Sequence, residues 1–463
     1  MANKNLLTYN AKVTQVEQAY FSPVSVLPPP FGTSISTTYC FLSHNLPWVD
    51  DNNPPQPTQD QKYIKDIFKS IFVAKQIYSN DISPVIQRID WTSGTTYDYY
   101  RDDVDMFQVD GAGVLQLNFY IRNRYDQVFK CLWNNNETSS TQEPFFQPGS
   151  YGTNNIYVGS DGYKWKYIYT IDTGLKRKFM DSRWIPVPVS DNTPNPIQTS
   201  AGFGDIEVIN VINGGSGYDS ANATITVKIT GDGTSANLVP GTTAMATAEI
   251  SGGQITNIVV TNTGANYTYA NVSITSTLGS GAMAIAPISP IGGHAFDPVD
   301  ELGCSNVMFT CEFDGSEGGK IPVDIDYRQV GLVVNPVSLS SYPNPASGAV
   351  YKTTTDFVVA PGFGAYVPDE NIYQGVSLAT ATFSASVLSF DTASNVVYLI
   401  NKVGTPTLNA PVYSSSSGTA RTLLSVSYPD FQTFSGYLSY VENRSGIQRS
   451  SDGKEQFRFV LGY

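Results

Sequence analysis

Charged residues are scarce in this chain, at 14% of its 463 positions, against about 25% in typical soluble domains. Acidic residues outnumber basic ones by 40 to 27, which gives a formal net charge of −13. Nucleic-acid binding depends on basic patches that neutralise phosphates, so this composition excludes DNA and RNA as partners. A short basic run, Lys176, Arg177 and Lys178, is predicted to be a solvated strand end or loop.

Cysteine and long apolar runs are also scarce. The four cysteines, Cys40, Cys131, Cys304 and Cys311, show no C-x-x-C spacing, which argues against a zinc knuckle or a redox motif. Cys304 and Cys311 could approach each other, but the sequence favours four buried thiols in a protein made in a reducing cytosol. No stretch approaches about 18 consecutive apolar residues, and the first residues lack the apolar run of a signal peptide. We therefore expect no membrane span and no signal peptide.

Catalytic motifs are missing as well. With only two histidines, His44 and His294, the chain cannot form H-E-x-x-H, and any Ser-His-Asp triad would have to use one of them. Neither a G-x-S-x-G elbow nor a Walker A motif occurs. The glycine-rich stretch at residues 214–217 is predicted to be a turn, because it lacks the third glycine and the helix of a dinucleotide site. We predict no catalytic, cofactor-binding or metal-binding residues, no cofactor, and no enzymatic activity.

Clustered carboxylates and tryptophans leave two minor alternatives. A glycosidase needs only two carboxylates, but the acidic clusters lie in polar stretches and are interpreted as solvated loops; they are Asp50 with Asp51, and Asp102 with Asp103 and Asp105. Asp232 lacks the acidic ladder of an EF-hand. The five tryptophans could stack on sugars, but core and interface anchors are the favoured interpretation; they are Trp48, Trp91, Trp133, Trp165 and Trp184.

The residues that are abundant favour β-structure. There are 29 tyrosines and 39 glycines, and short segments alternate apolar and polar residues with a period of two, at residues 114–121, 163–169 and 396–400. Gly, Pro, Asn, Asp and Ser interrupt these runs, as in sandwiches and barrels. The predicted fold is mainly β, a layered β-sandwich host domain with two small inserted β modules.

A single segment predicts an amphipathic helix, at residues 59–78. Its apolar positions fall on one helical face; they are Tyr63, Ile64, Ile67, Phe68, Ile71 and Phe72. Thr58 and Gln61 have the spacing of a capping box, and the prolines just before them prevent the helix from starting earlier. The apolar face is interpreted as core packing.

An internal repeat lies between residues 205 and 290. Residues 211–222 match residues 260–271, and Tyr218 and Tyr267 give the offset of 49 (267 − 218). Residues 244–250 match residues 282–288 at an offset of 38 (282 − 244). The first copy is therefore 11 residues longer than the second (49 − 38), and these extra residues are predicted in the loop at residues 234–243. Two copies of a few short strands predict one pseudo-symmetric β module rather than a long repeat array.

A second change in composition begins near Ser338 with a linker-like stretch rich in Ser and Pro. Residues 341–428 are predicted to form the second inserted module, a small β barrel or sandwich. The host domain would then comprise residues 1–204, 291–340 and 429–463, because strand-like segments resume after each insertion.

Several segments, taken in order, resemble a known family. They include residues 7–13, 39–48, 85–91, 125–132, 161–168, 184–187, 292–303, 326–336 and 434–447. Together they resemble the baseplate wedge protein called gene product eight of T-even-type contractile-tailed bacteriophages, in a cyanophage-like version with inserted modules. One departure is Ser43-His44 before Pro47-Trp48, where the family often has Gly-Arg.

The resemblance implies a structural protein of the virion, in the tail baseplate, that is made and assembled in the host cytoplasm. It implies a mainly β protomer that forms a homodimer within one wedge, beside other baseplate wedge proteins. Its role would be to scaffold the wedge and to transmit the rearrangement on tail contraction, with no membrane and no small-molecule substrate as partner.

Two alternatives remain from the sequence. The Gly/Ser/Thr/Asn-rich composition and the inserted modules would also suit a receptor- or glycan-binding tail fibre or spike component, normally a trimer. A polysaccharide-degrading enzyme would require catalytic carboxylates whose substitution abolishes turnover without unfolding the chain.

Overall fold

A computed structural model describes residues 9–21, 36–148, 155–189, 201–219, 221–232, 243–340 and 342–463. The predicted fold class is confirmed, since the chain is mainly β with few helices. It divides into two compact units. Unit 1 comprises residues 1–17, 83–308 and 460–463, and unit 2 comprises residues 18–82 and 309–459. None of the helices among the described residues is long and apolar enough to cross a bilayer.

The helices are α1 (Tyr9–Phe21), α2 (Gln61–Ser70), α3 (Thr173–Phe179) and α4 (Pro298–Glu301), with 3₁₀ turns at Ser79–Asp81 and Leu378–Thr380. The strands are β1 (Thr38–Ser43), β2 (Ile71–Ile77), β3 (Ile82–Gln87), β4 (Tyr120–Arg122), β5 (Gln127–Trp133), β6 (Ile156–Val158), β7 (Lys164–Thr170), β8 (Trp184–Pro186), β9 (Asn210–Ser216), β10 (Ile225–Gly231), β11 (Met245–Ser251), β12 (Gln254–Asn262), β13 (Ala270–Ser276), β14 (Ser280–Ile285), β15 (Asn306–Asp314), β16 (Asp326–Val334), β17 (Val350–Lys352), β18 (Thr355–Val359), β19 (Asn371–Gln374), β20 (Phe383–Asp391), β21 (Val396–Gly404), β22 (Pro411–Ser414), β23 (Ala420–Ser427), β24 (Tyr437–Gln448) and β25 (Lys454–Gly462).

Unit 2 is built on a five-stranded antiparallel sheet in the order β17-β2-β1-β16-β24. Every residue of β1 is buried, as expected for a central strand covered on both faces. Phe41 lies opposite Gly331 on β16, and a Cβ atom at position 331 would come within 2.6 Å of the Phe41 ring. Position 331 therefore requires glycine, because a side chain there would collide with the Phe41 ring on the neighbouring strand.

Helix α2 is shorter than predicted. It ends at Ser70, and Ile71 begins strand β2, so the prediction of helix for residues 71–78 is wrong. The run Ile-Phe-Val-Ala that starts there is rich in β-branched and aromatic residues, and its pairing with β1 outweighs the helical spacing. The predicted capping box is also wrong. Asp60 is the N-cap, accepting a hydrogen bond from the Tyr63 N–H at 2.8 Å, while Thr58 donates to Asp60.

The second inserted module is a closed six-stranded barrel in the order β18-β21-β20-β19-β22-β23. Its strands run from Thr355 to Ser427 and enclose a core of apolar side chains that includes Phe357, Phe383 and Leu399. The preceding strand β17 pairs with β2 and so belongs to the five-stranded sheet. Residues 396–400, predicted as a strand, lie within β21.

Unit 1 contains an antiparallel sheet in the order β4-β5-β7-β6, with a core rich in aromatic rings such as Trp165, Tyr163 and Phe129. The strand predicted at residues 163–169 corresponds to β7. The strand predicted at residues 114–121 is mostly wrong, because only its last two residues enter β4. The predicted strand begins at the end of a turn, in which Asp110 accepts hydrogen bonds from the N–H groups of Ala112 and Val114.

The basic run of unit 1 lies in a helix rather than in a strand end or loop. Lys176, Arg177 and Lys178 form the last turn of α3, where cations interact favourably with the carbonyl end of the helix. Asp172 caps the amino end by accepting from the Gly174 N–H at 2.7 Å. Sequence analysis missed this cap, and Lys176 is further held by Asp126 at 2.7 Å.

The predicted repeat folds into a module of three two-stranded ribbons, in which strands of one copy pair with strands of the other. The two middle strands pair with each other (β10 with β13), whereas β9 pairs with β14 and β11 with β12. Ribbons also contact one another through β9 with β12, β10 with β11, and β13 with β14. The extra residues of the first copy were predicted in the loop at residues 234–243. This loop lies, except for Thr243, outside the described residues.

The equivalent tyrosines of the two copies, Tyr218 and Tyr267, each form a hydrogen bond with the opposite copy. The Tyr218 hydroxyl accepts a hydrogen bond from the Ala282 N–H at 3.2 Å, and the Tyr267 hydroxyl accepts one from the Ala244 N–H at 2.9 Å. Each tyrosine is buried in the shared core of the module. Each copy therefore completes the packing of the other.

The four cysteines are free and buried, as the sequence favoured. The Cys304 thiol donates to the Val85 carbonyl at 3.2 Å instead of pairing with Cys311. Burial raises the pKa of Cys304 to about 12, which keeps it an unreactive thiol at neutral pH.

Candidate functional site

A concave site lies in unit 2, between α2 and the loop after β1 on one side and barrel strands β19, β20 and β21 on the other. We call it the His44 cleft. Its volume is about 560 Å³, and it is lined by His44, Asn45, Leu46, Pro47, Trp48, Val49, Tyr63, Asp66, Ile67, Gln329, Asp369, Asn371, Ser386, Ile400 and Asn401.

His44 lies at the inner end of this cleft with a carboxylate at each ring nitrogen. Nδ1 is 2.8 Å from Asp326 Oδ1, and Nε2 is 2.6 Å from Asp369 Oδ1. An ionised carboxylate only accepts hydrogen bonds, so both contacts are satisfied when the ring carries two protons. Burial lowers the pKa of His44, but the hydrogen bonds to Asp326 and Asp369 outweigh it and raise the pKa to about 9.

Asp326 also fixes the loop that follows β1. It forms an ion pair with Arg328, whose guanidinium reaches Asp51 at 3.3 Å and donates to the Asn45 carbonyl at 3.1 Å. Burial raises the pKa of Asp326, but His44 and Arg328 outweigh it and hold the pKa below its usual range. The loop is thus connected to β16 by ionised groups at both of its ends.

Trp48 gives the loop a third attachment. Its indole N–H donates to the Arg444 carbonyl on β24 at 2.8 Å, and its backbone N–H donates to Asp51 at 2.8 Å. On either side of Trp48 the loop displays apolar side chains to solvent, with Leu46 65% and Val49 110% exposed. Two apolar side chains are thus exposed on a loop that hydrogen bonds and ion pairs hold in place.

The barrel side of the cleft carries a row of polar side chains across three adjacent strands. Asn401 Nδ2 donates to Ser386 Oγ at 3.3 Å, and Ser386 Oγ donates to Asn371 Oδ1 at 3.3 Å. Asp369 lies two residues before Asn371, with a backbone φ of 67°. This row presents amide donors and acceptors together with one carboxylate.

The floor of the cleft is a buried polar network. Gln329 donates to Tyr63 Oη at 3.0 Å and to Asn443 Oδ1 at 2.8 Å. The Tyr63 hydroxyl also donates to Asn443 Oδ1 at 2.8 Å. Because these groups satisfy one another, the network rigidifies the floor.

Unit 1 contains a second histidine site that is closed to solvent. The Lys130 ammonium is 3.0 Å from Glu301 Oε1, and His294 Nδ1 is 2.7 Å from the same oxygen. The ammonium also lies 3.7 Å from the centroid of the Tyr100 ring, which gives a cation–π contact. The side chains of Lys130, Glu301 and His294 are at most 3% exposed, so the cluster is closed to a ligand.

The charges within this cluster lower the pKa values of both Glu301 and His294. Burial raises the pKa of Glu301, but Lys130 and the hydrogen bond from His294 outweigh it and lower the pKa to about 2. Burial and the nearby Lys130 ammonium both lower the pKa of His294. The ring is therefore neutral at pH 7 and donates from Nδ1 to the ionised Glu301.

A further set of buried polar contacts attaches the repeat module to the sheet of unit 1. Lys166 on β7 forms an ion pair with Glu207 at 2.8 Å, and Lys164 donates to the Ile209 carbonyl at 3.0 Å. Burial, followed by the charge of Glu207, raises the pKa of Asp205 to about 6. The position of the module on its sheet is therefore set by specific contacts.

The residues that sequence analysis weighed as catalytic do not converge. Asp50, Asp102, Asp103 and Asp105 are exposed, and Asp103 pairs with its neighbour Arg101 at 2.8 Å. Trp133 and Trp165 are buried core residues. Over the part of the chain that is described, three or more His, Cys, Asp or Glu side chains do not gather in an arrangement that could hold a metal ion.

No protein-family model and no curated protein sequence matches the chain. Its function is therefore inferred from its own residues and geometry, together with the family-like segments identified in the sequence.

Proposed function

We propose that this protein is a wedge subunit of a contractile phage tail baseplate, which holds neighbouring wedge proteins and takes part in the rearrangement on contraction. The observation that carries the proposal is the ordered set of segments that resemble the gene product eight family. A single segment would be weak evidence, but nine in the family's order are a more specific signal.

The positions of these segments support the proposal. Residues 39–48 and 326–336 supply the adjacent strands β1 and β16 of unit 2, and residues 125–132 and 161–168 supply β5 and β7 of unit 1. These are interior strands of their sheets. These four of the nine segments thus fall on framework strands, where a shared fold would require similar residues.

The pairing of buried charges in unit 1 is also consistent with a scaffold protein. Two pairs of buried charges in unit 1 neutralise each other within the unit, Lys130 with Glu301 and Lys166 with Glu207. Such pairs specify one arrangement and are costly to disrupt. The outer surface is left with mainly uncharged polar groups, which suit broad, hydrated contacts between proteins.

The first test is the mass of the purified chain by light scattering after size exclusion. One chain is 50.3 kDa, so a dimer has twice and a trimer three times that mass. A dimer supports the wedge proposal, and a trimer would move the fibre or spike alternative to first place. The second test is mass spectrometry of isolated baseplates, in which the chain should be present alongside other wedge proteins.

A further inference from the structure

We propose that the His44 cleft binds an extended segment of a neighbouring protein that carries a lysine or arginine side chain. The inference rests on the proposed function, because a wedge subunit has such neighbours in the assembled particle. It adds the surface that makes the contact and the chemistry of the partner.

The rim of the cleft favours a polypeptide. Leu46 and Val49 extend into solvent on a loop whose conformation is fixed by Trp48 and by the Arg328–Asp51 ion pair. Burying two such side chains against a partner would favour binding, because it removes apolar surface from water. Since the loop is already ordered, little conformational entropy is lost on binding.

The charges of the cleft favour a basic side chain. Asp66 and Asp369 line it, with side chains 47% and 38% exposed. The positive charge of His44 is already shared between Asp326 and Asp369. Asp66 is also paired with Lys62 at 2.6 Å. With Lys62 and Arg328 included, the carboxylates of the cleft and its supporting loop (Asp51, Asp66, Asp326 and Asp369) still outnumber the cations by one, which favours an ammonium or guanidinium group over phosphate or carboxylate.

The polar row on the barrel matches the backbone of an extended segment. Asn371, Ser386 and Asn401 lie on three adjacent strands, which at about 4.8 Å per strand span roughly 10 Å. That is the length of about three extended residues. Asparagine side chains carry both a donor and an acceptor and can therefore pair with peptide N–H and C=O groups.

A neutral glycan is the other occupant that such a row could bind. Amide and carboxylate groups also suit sugar hydroxyls, and Trp48 lines the same cleft. The fully exposed apolar tip at Val49 favours the polypeptide, because a neutral sugar gains little from an aliphatic side chain outside the cleft.

The experiment places a photo-crosslinking amino acid at position 49 in assembled particles and maps the crosslinked peptide by mass spectrometry. The matched control carries it at Thr226, which is exposed on β10 of the repeat module. We expect position 49 to crosslink a different tail protein at a stretch with Lys or Arg within about three residues. A crosslink to another copy of this chain, to a stretch without a basic residue, or to nothing would overturn the inference.

A synthetic peptide of the mapped stretch then serves as the probe. We expect Val49→Asp and Asp66→Lys each to weaken the binding of this peptide by at least about tenfold. A second peptide, with Glu in place of the basic residue, should bind the Asp66→Lys variant and so restore the interaction. Binding unaffected by either substitution, or binding of neutral oligosaccharides on a glycan array that Val49→Asp leaves intact, would overturn it. Absence of the chain from purified baseplates would instead refute the proposed function, so the two failures are distinguishable.

Discussion

The two histidines of this protein are both buried, yet their surroundings drive their pKa values in opposite directions. His44 in unit 2 has a carboxylate at each ring nitrogen and a pKa of about 9. His294 in unit 1 contacts a single carboxylate, which it shares with Lys130, and its pKa is lowered. Burial alone lowers the pKa of histidine, so the balance of neighbouring charges decides which ring is an imidazolium at pH 7.

The largest effect should come from removing the cation next to His294. In Lys130→Met, Glu301 keeps hydrogen bonds from His294 and the Ala295 N–H but loses its only cation in a site closed to solvent, and we expect the free energy of unfolding to fall by about 3–5 kcal/mol. His294 should then gain a proton, so that its pKa rises and the two histidines behave alike. Urea denaturation gives the stability, and ring NMR signals give the pKa.

The double variant Lys130→Met/Glu301→Gln is the control for that experiment. Because it removes both charges, it should recover most of the lost stability. A loss below about 1 kcal/mol in the single variant would mean that the ion pair is less buried than the 2% exposure of both side chains indicates.

The second prediction is a pH dependence that belongs to His44. Its pKa rises from 6.5 in the unfolded chain to about 9 in the folded one, so its contribution is complete below pH 6.5 and is lost as pH rises through 9. The shift corresponds to roughly 3 kcal/mol. The difference in unfolding free energy between the native chain and His44→Gln should shrink between pH 6 and pH 10, and parallel curves would contradict it.

A smaller effect should follow from removing one of the two carboxylates at His44. Asp369→Asn suits a backbone φ of 67°, because asparagine tolerates this region better than alanine. The pKa of His44 should fall by about one to two units yet stay above 6.5, since Asp326 remains. An NMR titration measures this directly, and His44→Gln assigns the signal because the chain has only two histidines.

The smallest effect should come from the Tyr100 hydroxyl. It donates to the Ile288 carbonyl at 3.1 Å, so Tyr100→Phe should cost about 1 kcal/mol. The ring remains under Lys130, and the titration of His294 should not change. Tyr100→Leu is the matched comparison, because it removes the ring as well as the hydroxyl and should lower the stability further. Thermal unfolding measures both variants. Equal losses would show that the cation–π contact contributes nothing.

The sequence predicted the features that depend on local patterns. The fold class, strands β7 and β21, and the presence of a two-copy repeat follow from alternation and from matching residues, whereas the pairing of strands between the copies was not predicted. Helix α2 was predicted too long because Ile71 and Phe72 continue the helical spacing. Only pairing with β1, which no local pattern encodes, converts them to strand.

The His44 cleft could not be predicted from the sequence. His44 meets Asp326 and Asp369 at separations of 282 and 325 residues along the chain, so no motif spacing connects them. The one local signal was the Ser43-His44 pair, where family-like sequences often have Gly-Arg. Likewise, Lys130 and Glu301 are 171 residues apart, and both resemble ordinary surface residues in the sequence.

The exchange of Tyr218 and Tyr267 between the two copies of the repeat has a genetic consequence. A Cβ atom at Gly279 would come within 2.7 Å of the Tyr218 ring, and one at Gly231 within 2.9 Å of the Tyr267 ring. Each tyrosine thus constrains a glycine encoded in the other copy. Recombination that deleted one copy would remove the partners of both tyrosines at once, so we expect the two copies to be inherited only as a pair.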